Sequence, residues 1–399
     1  MNNSLQNNQS DMIRSFFFVS FLSFFFILGC RASQDKDELV IGAARINEYL
    51  PKIQDKKVGL LINHTSIVGE QHLVDFLLGN GIQIKKIFAP EHGFRGKADA
   101  GELVEDNLDP KTGIPVVSLY GKNKKPTAET LAGLDIVIFD IQDVGVRFYT
   151  YISSMHYMME ACAKYGVHMI VFDRPNPNGH YIDGPIREPE FQSFVGMHPI
   201  PVVHGLTVAE LAIMINEEGW LDGGVKCGLE VIQMENYNHS DSYSLPVKPS
   251  PNLPNDQSIA LYPSTCFFEG TRMSIGRGTQ SPFQVIGYPD KRFGEFAFTP
   301  ESIDGMAKHP KMEGQQCFGV DLRNVNVPNK LDLSYVIDFY TRWVEEESFF
   351  TEYFNTLAGT SELQKQIKEG MTMEEIRESW QPGIEKYREL RRKYVLYED

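Results

Sequence analysis

Four apolar runs of strand length in this sequence end in carboxylates, histidines, arginines and amides, where a plain turn would need only Gly, Asn or Ser. They are Asn63-His64, Pro90-Glu91-His92-Gly93-Phe94-Arg95-Gly96, Asp140-Ile141-Gln142-Asp143 and Asp173-Arg174-Pro175-Asn176-Pro177. In an open parallel sheet, ligands bind outside the carboxyl ends of the strands, so four polar strand ends together read as the walls of a cleft. Carboxylates can act as general acid and base, and aromatics such as Tyr149 and Tyr151 can cover the apolar faces of a sugar. An arginine can hold a substrate carboxylate through two parallel hydrogen bonds. The combination suits glycoside hydrolysis. Glu91 is one carboxyl of this kind, and such a group partly desolvated in a cleft can keep its proton near neutral pH, as a general acid needs. Asp143 and Glu269 are the candidates for a second carboxylate, and the sequence does not choose between them. Arg147, Arg174 and Arg277 are candidates for a substrate carboxylate, each equally able to pair structurally with Asp140, Asp143 or Asp173. Asn63, His64, His92, Arg95, Gln142, Tyr149, Asn176 and His204 complete the candidate binding set. Tyr149 and Tyr151, two apart at a helix start, are expected on different faces, with one of them in the core.

Several other chemistries lack their usual signatures. No G-x-G-x-x-G follows the first strand and no G-x-x-x-x-G-K-[ST] occurs, so nucleotide phosphate has no cradle; Gly276-Arg277-Gly278 is an isolated fragment. H-E-x-x-H and G-x-S-x-G are absent too. Cys162, Cys227, Cys266 and Cys317 form no C-x-x-C pair and are expected to be buried free thiols, while His64, His92, His204 and Asp143 stand too far apart in sequence to favour a metal site. No metal or cofactor is expected. The formal net charge of −15 argues against nucleic acid as a partner and against attraction to anionic lipid headgroups.

The elements that must position these groups alternate in type. Strands are expected at Lys57 to Ile62, Ile82 to Phe88, Val116 to Tyr120, Asp135 to Ile141, Val167 to Phe172 and Leu229 to Met234. Helices are expected near Ile41 to Leu50, at Glu70 to Leu78, at Tyr149 to Tyr165, and from a capping box at Thr207-Val208-Ala209-Glu210 to Glu218. Near-continuous apolar strands separated by helices predict an α/β fold, a Rossmann-like, mostly parallel sheet with helices on both faces. Pro246, Pro249, Pro251, Pro254 and Pro263 then interrupt regular structure, which sets the expected boundary between a catalytic domain (57–262) and a smaller C-terminal α+β domain (263–399). The latter has a Gly-rich loop from Glu269 to Gly278, strands at Phe283 to Gly287 and Gln316 to Leu322, and helices at Leu333 to Glu346 and Thr372 to Tyr394.

At the other end, Arg14 precedes an apolar run from Phe16 to Leu28, too short to span a bilayer as a helix and fitting a signal-peptide core. Ile27-Leu28-Gly29-Cys30 resembles a bacterial lipobox. Residues 1–29 are therefore expected to be a lipoprotein signal peptide, Cys30 the lipid anchor to a membrane of the cell envelope, and 30–56 a tether with a short helix.

The strand-end motifs, with Phe139 to Tyr151, Asp173 to Gly179, Ser250-Pro251-Asn252-Leu253-Pro254 and Phe268 to Thr279, resemble those of NamZ-type exo-β-N-acetylmuramidases over roughly residues 40 to 399. The resemblance implies release of terminal N-acetylmuramic acid (MurNAc) from the non-reducing ends of peptidoglycan fragments such as MurNAc-GlcNAc. It carries the family's proposed catalytic glutamate onto Glu91, and gives the candidate arginines a substrate group to bind, the lactyl carboxylate of MurNAc. A non-catalytic muropeptide-binding lipoprotein and a metal-dependent amidase or deacetylase on the same polymer are the alternatives. The sequence carries no signal for oligomeric state.

Overall fold

A computed structural model describes residues 38–90, 107–121 and 123–399. The signal segment, Cys30 and the first part of the tether lie outside the described residues, as do Glu91, His92 and Arg95.

The strands are β1 (Lys57–Ile62), β2 (Ile67–Val68), β3 (Gln71–His72), β4 (Gln83–Ala89), β5 (Asn107–Leu108), β6 (Pro115–Ser118), β7 (Ile136–Asp140), β8 (His168–Phe172), β9 (Leu229–Ile232), β10 (Val285–Tyr288), β11 (Phe296–Phe298) and β12 (Cys317–Asp321). The α-helices are α1 (Ile46–Ile53), α2 (Leu73–Gly79), α3 (Ala128–Leu131), α4 (Tyr151–Tyr165), α5 (Val208–Glu217), α6 (Asp256–Thr265), α7 (Ser334–Thr341), α8 (Tyr353–Ala358), α9 (Glu362–Lys368) and α10 (Met373–Arg391). Seven strands form one sheet in the order β5-β6-β4-β1-β7-β8-β9, parallel throughout except for the edge pair β5-β6. The chain runs outward from β1 in both directions, which puts the topological switch point beside β1.

Alternation along the strands sorts their side chains onto two faces. Val58, Leu60 and Ile62 of β1, Ile136 and Ile138 of β7, and Ile170 and Phe172 of β8 share one core with Tyr49 and Ile53 of α1 and Leu73, Val74 and Leu77 of α2. Leu61, Val137, Phe139, Met169 and Val171 face the other way, onto Met155 and Met159 of α4 and Leu211 and Ile215 of α5. Helices therefore cover both faces, and the strands read as near-continuous apolar runs for that reason. Two expected capping boxes are present, Thr207 with Glu210 at α5 and Thr372 with Glu375 at α10.

The second core continues into the C-terminal part through Phe267, Phe283, Phe339, Phe354 and Trp380, beside an antiparallel sheet of order β10-β12-β11. Residues 38–399 make one compact unit, and the expected boundary at 262/263 falls inside α6. That helix forms in the proline-rich stretch because Asn255 caps it reciprocally with Ser258, one residue after Pro254. Pro263 has no N–H to donate to the Ile259 carbonyl; Asn178 Nδ2 donates to it instead, at 3.4 Å. The chain end returns to the first layer: Tyr397 Oη donates to Asp173 Oδ2 at 2.6 Å, and the Leu396 amide donates to Glu210 Oε1 at 2.7 Å.

Candidate active site

A cleft of about 310 Å³ opens at the carboxyl edge of the sheet. Its walls come from the loops after β6 (Tyr120, Lys124) and β7 (Tyr149, Thr150), the start of α4 (Tyr151), Phe194 and Val195, Ser250 and Asn252, Tyr262 of α6, Glu269, Arg277, Phe283, and Tyr353 of α8. Aromatic rings meeting edge to face stiffen it. Tyr149 packs on Tyr151 with centroids 5.1 Å apart and planes at 87°, and Tyr262 packs on Phe283 at 5.0 Å and 80°. Tyr149 Oη donates to the Pro249 carbonyl at 2.7 Å. The two rings stay in contact and do not diverge, while the expectation of a core position is met by both, each being buried. Helix α4 begins only at Tyr151, so helical spacing does not govern Tyr149, and both rings line the cleft.

One carboxylate among the described residues lines this space, Glu269, and local packing fixes where it stands. The 3-10 turn Cys266–Gly270 follows α6 directly, and a Cβ at Gly270 would lie 2.4 Å from the Phe354 backbone, so the turn needs glycine there. Lys311 Nζ donates to the carbonyls of Phe268, Glu269 and Thr271 at 3.1, 2.9 and 2.7 Å. Arg277 sits between Gly276 and Gly278, whose φ angles of 77° and 80° are left-handed. This turn brings Arg277 Nε to 2.8 Å from Glu269 Oε1, with the guanidinium 5.0 Å from the Phe283 ring centre. Burial alone would push the Glu269 carboxyl up. The charges of Arg277 and Lys311, with the Arg277 hydrogen bond, outweigh it and hold the group below its ordinary value. Glu269 is thus an ionised carboxylate at neutral pH.

The other candidates stand elsewhere. Asp143 is buried and not among the lining residues, with Oδ2 accepting from the Gly145 amide at 2.7 Å and Oδ1 without a partner among the described residues; burial raises its pKa to about 7. His204 is fully buried, with Nε2 3.9 Å from Asp143 Oδ2 and Nδ1 accepting from the Leu206 amide, and burial lowers its pKa to about 3. Arg147, expected as a ligand for a carboxylate, is fully buried and donates to the carbonyls of Pro185, Ile200, Leu357 and Ala358 at 2.7 to 3.0 Å. It ties α8 to the first layer. Arg174 forms a two-pronged pair with Asp140, at 2.6 and 2.8 Å, the structural alternative to ligand binding. Gln142 donates to the carbonyls of Asp143 and Pro175, and Asn176 donates to Leu206. Asn63 Oδ1 accepts from Thr65, and His64 Nε2 meets the Lys248 carbonyl at 2.9 Å. These amides build the strand-end loops and are not among the lining residues. Of the described candidates, Tyr149, Tyr151, Glu269 and Arg277 line the cleft.

Sequence reasoning passed over Tyr120, Lys124, Phe194, Tyr353 and Lys311. Tyr120 ends a predicted strand and was open to the same strand-end argument. Phe194, Tyr353 and Lys311 come from loops and a helix whose position no local pattern gives. Among the described residues, no group of His, Cys, Asp or Glu is placed to hold a metal ion, and Cys162, Cys227, Cys266 and Cys317 are buried free thiols.

Comparison with known proteins adds a family. Residues 58–257 match the family described as exo-beta-N-acetylmuramidase NamZ, N-terminal, and residues 260–397 match its C-terminal counterpart. The chain is 40% identical over 372 residues to the peptidoglycan beta-N-acetylmuramidase NamZ of Bacillus subtilis (strain 168), covering 88% of this chain and 89% of that protein. Two crystal structures of DUF1343 family proteins from Bacteroides fragilis NCTC 9343 share the fold. One has a TM-score of 0.85 at 44% identity, covering 91% of this chain and 99% of its own; the other has 0.75 at 30%, covering 90% and 99%.

Proposed function

The chain belongs to the NamZ exo-β-N-acetylmuramidase family, and from that premise we propose that it is a glycoside hydrolase that removes terminal MurNAc from the non-reducing ends of peptidoglycan fragments. The observation that carries the reading is the aromatic cleft at the carboxyl edge of the sheet, with Glu269 held ionised by Arg277 on its wall. A glycosidase needs a proton donor for the leaving oxygen and negative charge near the anomeric centre as an oxocarbenium-like state develops.

In this proposal Glu91 is the proton donor. It follows Pro90 at the end of β4, the strand between β1 and β6. Glu269 supplies the charge, as base, nucleophile or orienting group for the sugar's acetamido arm. What supports Glu269 over Asp143 is access. Asp143 accepts from the Gly145 amide and is not among the lining residues, and burial raises its pKa, which disfavours the charged form. The tyrosines supply ring faces for the sugar. Export and lipid anchoring at Cys30 belong to the same proposal and rest on residues 14 to 30 alone.

The test is incubation with two disaccharides of opposite order. MurNAc-GlcNAc is expected to yield free MurNAc and GlcNAc, GlcNAc-MurNAc to stay intact, and Glu91→Gln to lose most of the turnover while keeping its fold. Saturable binding without product would favour a muropeptide-binding protein instead.

A further inference from the structure

We propose that Lys124 is a specificity-determining residue that reads a carboxylate carried by the bound sugar's 3-O-lactyl arm. This rests on the glycosidase reading above and extends it to a residue outside the motif-derived candidates.

Lys124 lines the cleft, half-buried, with its ammonium 4.1 Å from the centre of the Phe194 ring. That ring is a fixed platform. The Phe194 carbonyl accepts from Ser153 Oγ of α4 at 2.7 Å, Ser193 and Gly196 pair across the turn that carries it, and Tyr157 stacks on the ring at 5.9 Å and 22°. A cation resting on a ring face is attracted and held, while its other side stays open to a ligand.

Charge pairing points the same way. Lys125, the next residue, is neutralised by Glu160 at 2.7 Å, and Arg277 by Glu269 at 2.8 Å. Lys124 has no carboxylate within ion-pair distance among the described residues, in a chain with 53 acids against 38 bases. An uncompensated ammonium in a cleft, within a field that is negative overall, is suited to a carboxylate brought by the ligand. Two sources on the substrate have that chemistry: the lactyl carboxylate itself, or, when the lactyl group is amidated by a peptide, the peptide's own carboxylates.

The full chain, Lys124→Met, Lys124→Arg and Lys125→Met are compared on three chromogenic MurNAc glycosides. One has the free lactyl acid, one its neutral methylamide, and one an L-Ala-D-Glu extension. Wild type is expected to prefer an acid-bearing glycoside to the methylamide by about tenfold in KM, the effect of one charge-assisted contact. Lys124→Met raises that KM about tenfold, leaves kcat within about twofold and leaves the methylamide unchanged. Lys124→Arg and Lys125→Met keep the preference. Which of the two acids loses affinity in Lys124→Met identifies the source. An unchanged preference in Lys124→Met overturns this inference alone, whereas failure of wild type to hydrolyse any of the three overturns the glycosidase reading and this inference with it.

Discussion

Arg277 Nε and Glu269 Oε1 meet at 2.8 Å on the cleft wall, and the pairing keeps a partly buried carboxylate ionised. Lys311 contributes from behind, gripping the turn that carries Glu269 by three carbonyls. The pair fixes both where the charge stands and the pH range over which it exists.

Removing Arg277 leaves the burial that raises the Glu269 pKa and deletes the main charge that lowers it. For Arg277→Met, the acid limb of the kcat/KM profile is expected to move to higher pH, with Arg277→Lys restoring part of the shift. A loss of rate with an unmoved limb would show that Glu269 ionisation does not shape the profile.

Four buried groups are expected to shape the pH dependence of stability, two with slopes opposite to the other two. Burial raises Asp143 and Asp173 to about 7, well above their unfolded value of about 3.9. Between those values the folded state binds more protons than the unfolded one, so their contribution declines as pH rises and is lost through about pH 7. On the acid side His198 and His204, lowered first by burial, stay neutral in the folded state while the unfolded chain takes up protons below about pH 6.5. The two slopes oppose and largely cancel between about pH 4 and 6, so Tm should be nearly level there, fall above about pH 6 as the aspartates dominate and fall below about pH 4 as the histidines do. Asp143→Asn should flatten the alkaline side, and a slope equal to wild type there would refute the assignment.

Arg147→Met orphans four carbonyls, on either side of the junction between α8 and the first layer. Loss of this grip is expected to cost about 3 kcal/mol of stability, with the KM of the surviving enzyme unchanged. An unaltered melting curve with a raised KM would return Arg147 to the binding set.

Tyr397→Phe removes the donor to Asp173 Oδ2 and the acceptor for the Met234 amide at 2.9 Å. About 2 kcal/mol of destabilisation is expected, together with a steeper alkaline loss, because Asp173 then lacks one of the bonds that favour its charged form. Denaturant midpoints at pH 6 and 8 measure both effects.

The strands and the two capped helices were legible because their signals are local: apolar runs, and Thr207-x-x-Glu210 or Thr372-x-x-Glu375. The cleft was legible only in part. Glu269, Arg277 and Tyr149 line the cleft, whereas Arg147, Arg174 and Asp143, charged residues of other motifs read the same way, are turned to carbonyls, Asp140 and the Gly145 amide. Residue type does not report which way a loop side chain turns. Helix α6 was missed because Pro263 reads as a breaker unless Asn178, 81 residues upstream of Ile259, is known to satisfy the carbonyl left free. Lys124 and Phe194 form their pair only after α4 and the 193–196 turn are in place.

In the proposed reaction this cleft cleaves a terminal MurNAc glycoside with Glu269 as a required charge. Steady-state hydrolysis of a chromogenic MurNAc β-glycoside by wild type and Glu269→Gln, both confirmed folded by their melting curves, tests it most directly. Steady release by wild type is expected, with a rate at least about a hundredfold lower for Glu269→Gln. Hydrolysis at the wild-type rate by Glu269→Gln, or none by folded wild type between about pH 5 and 8, would contradict it.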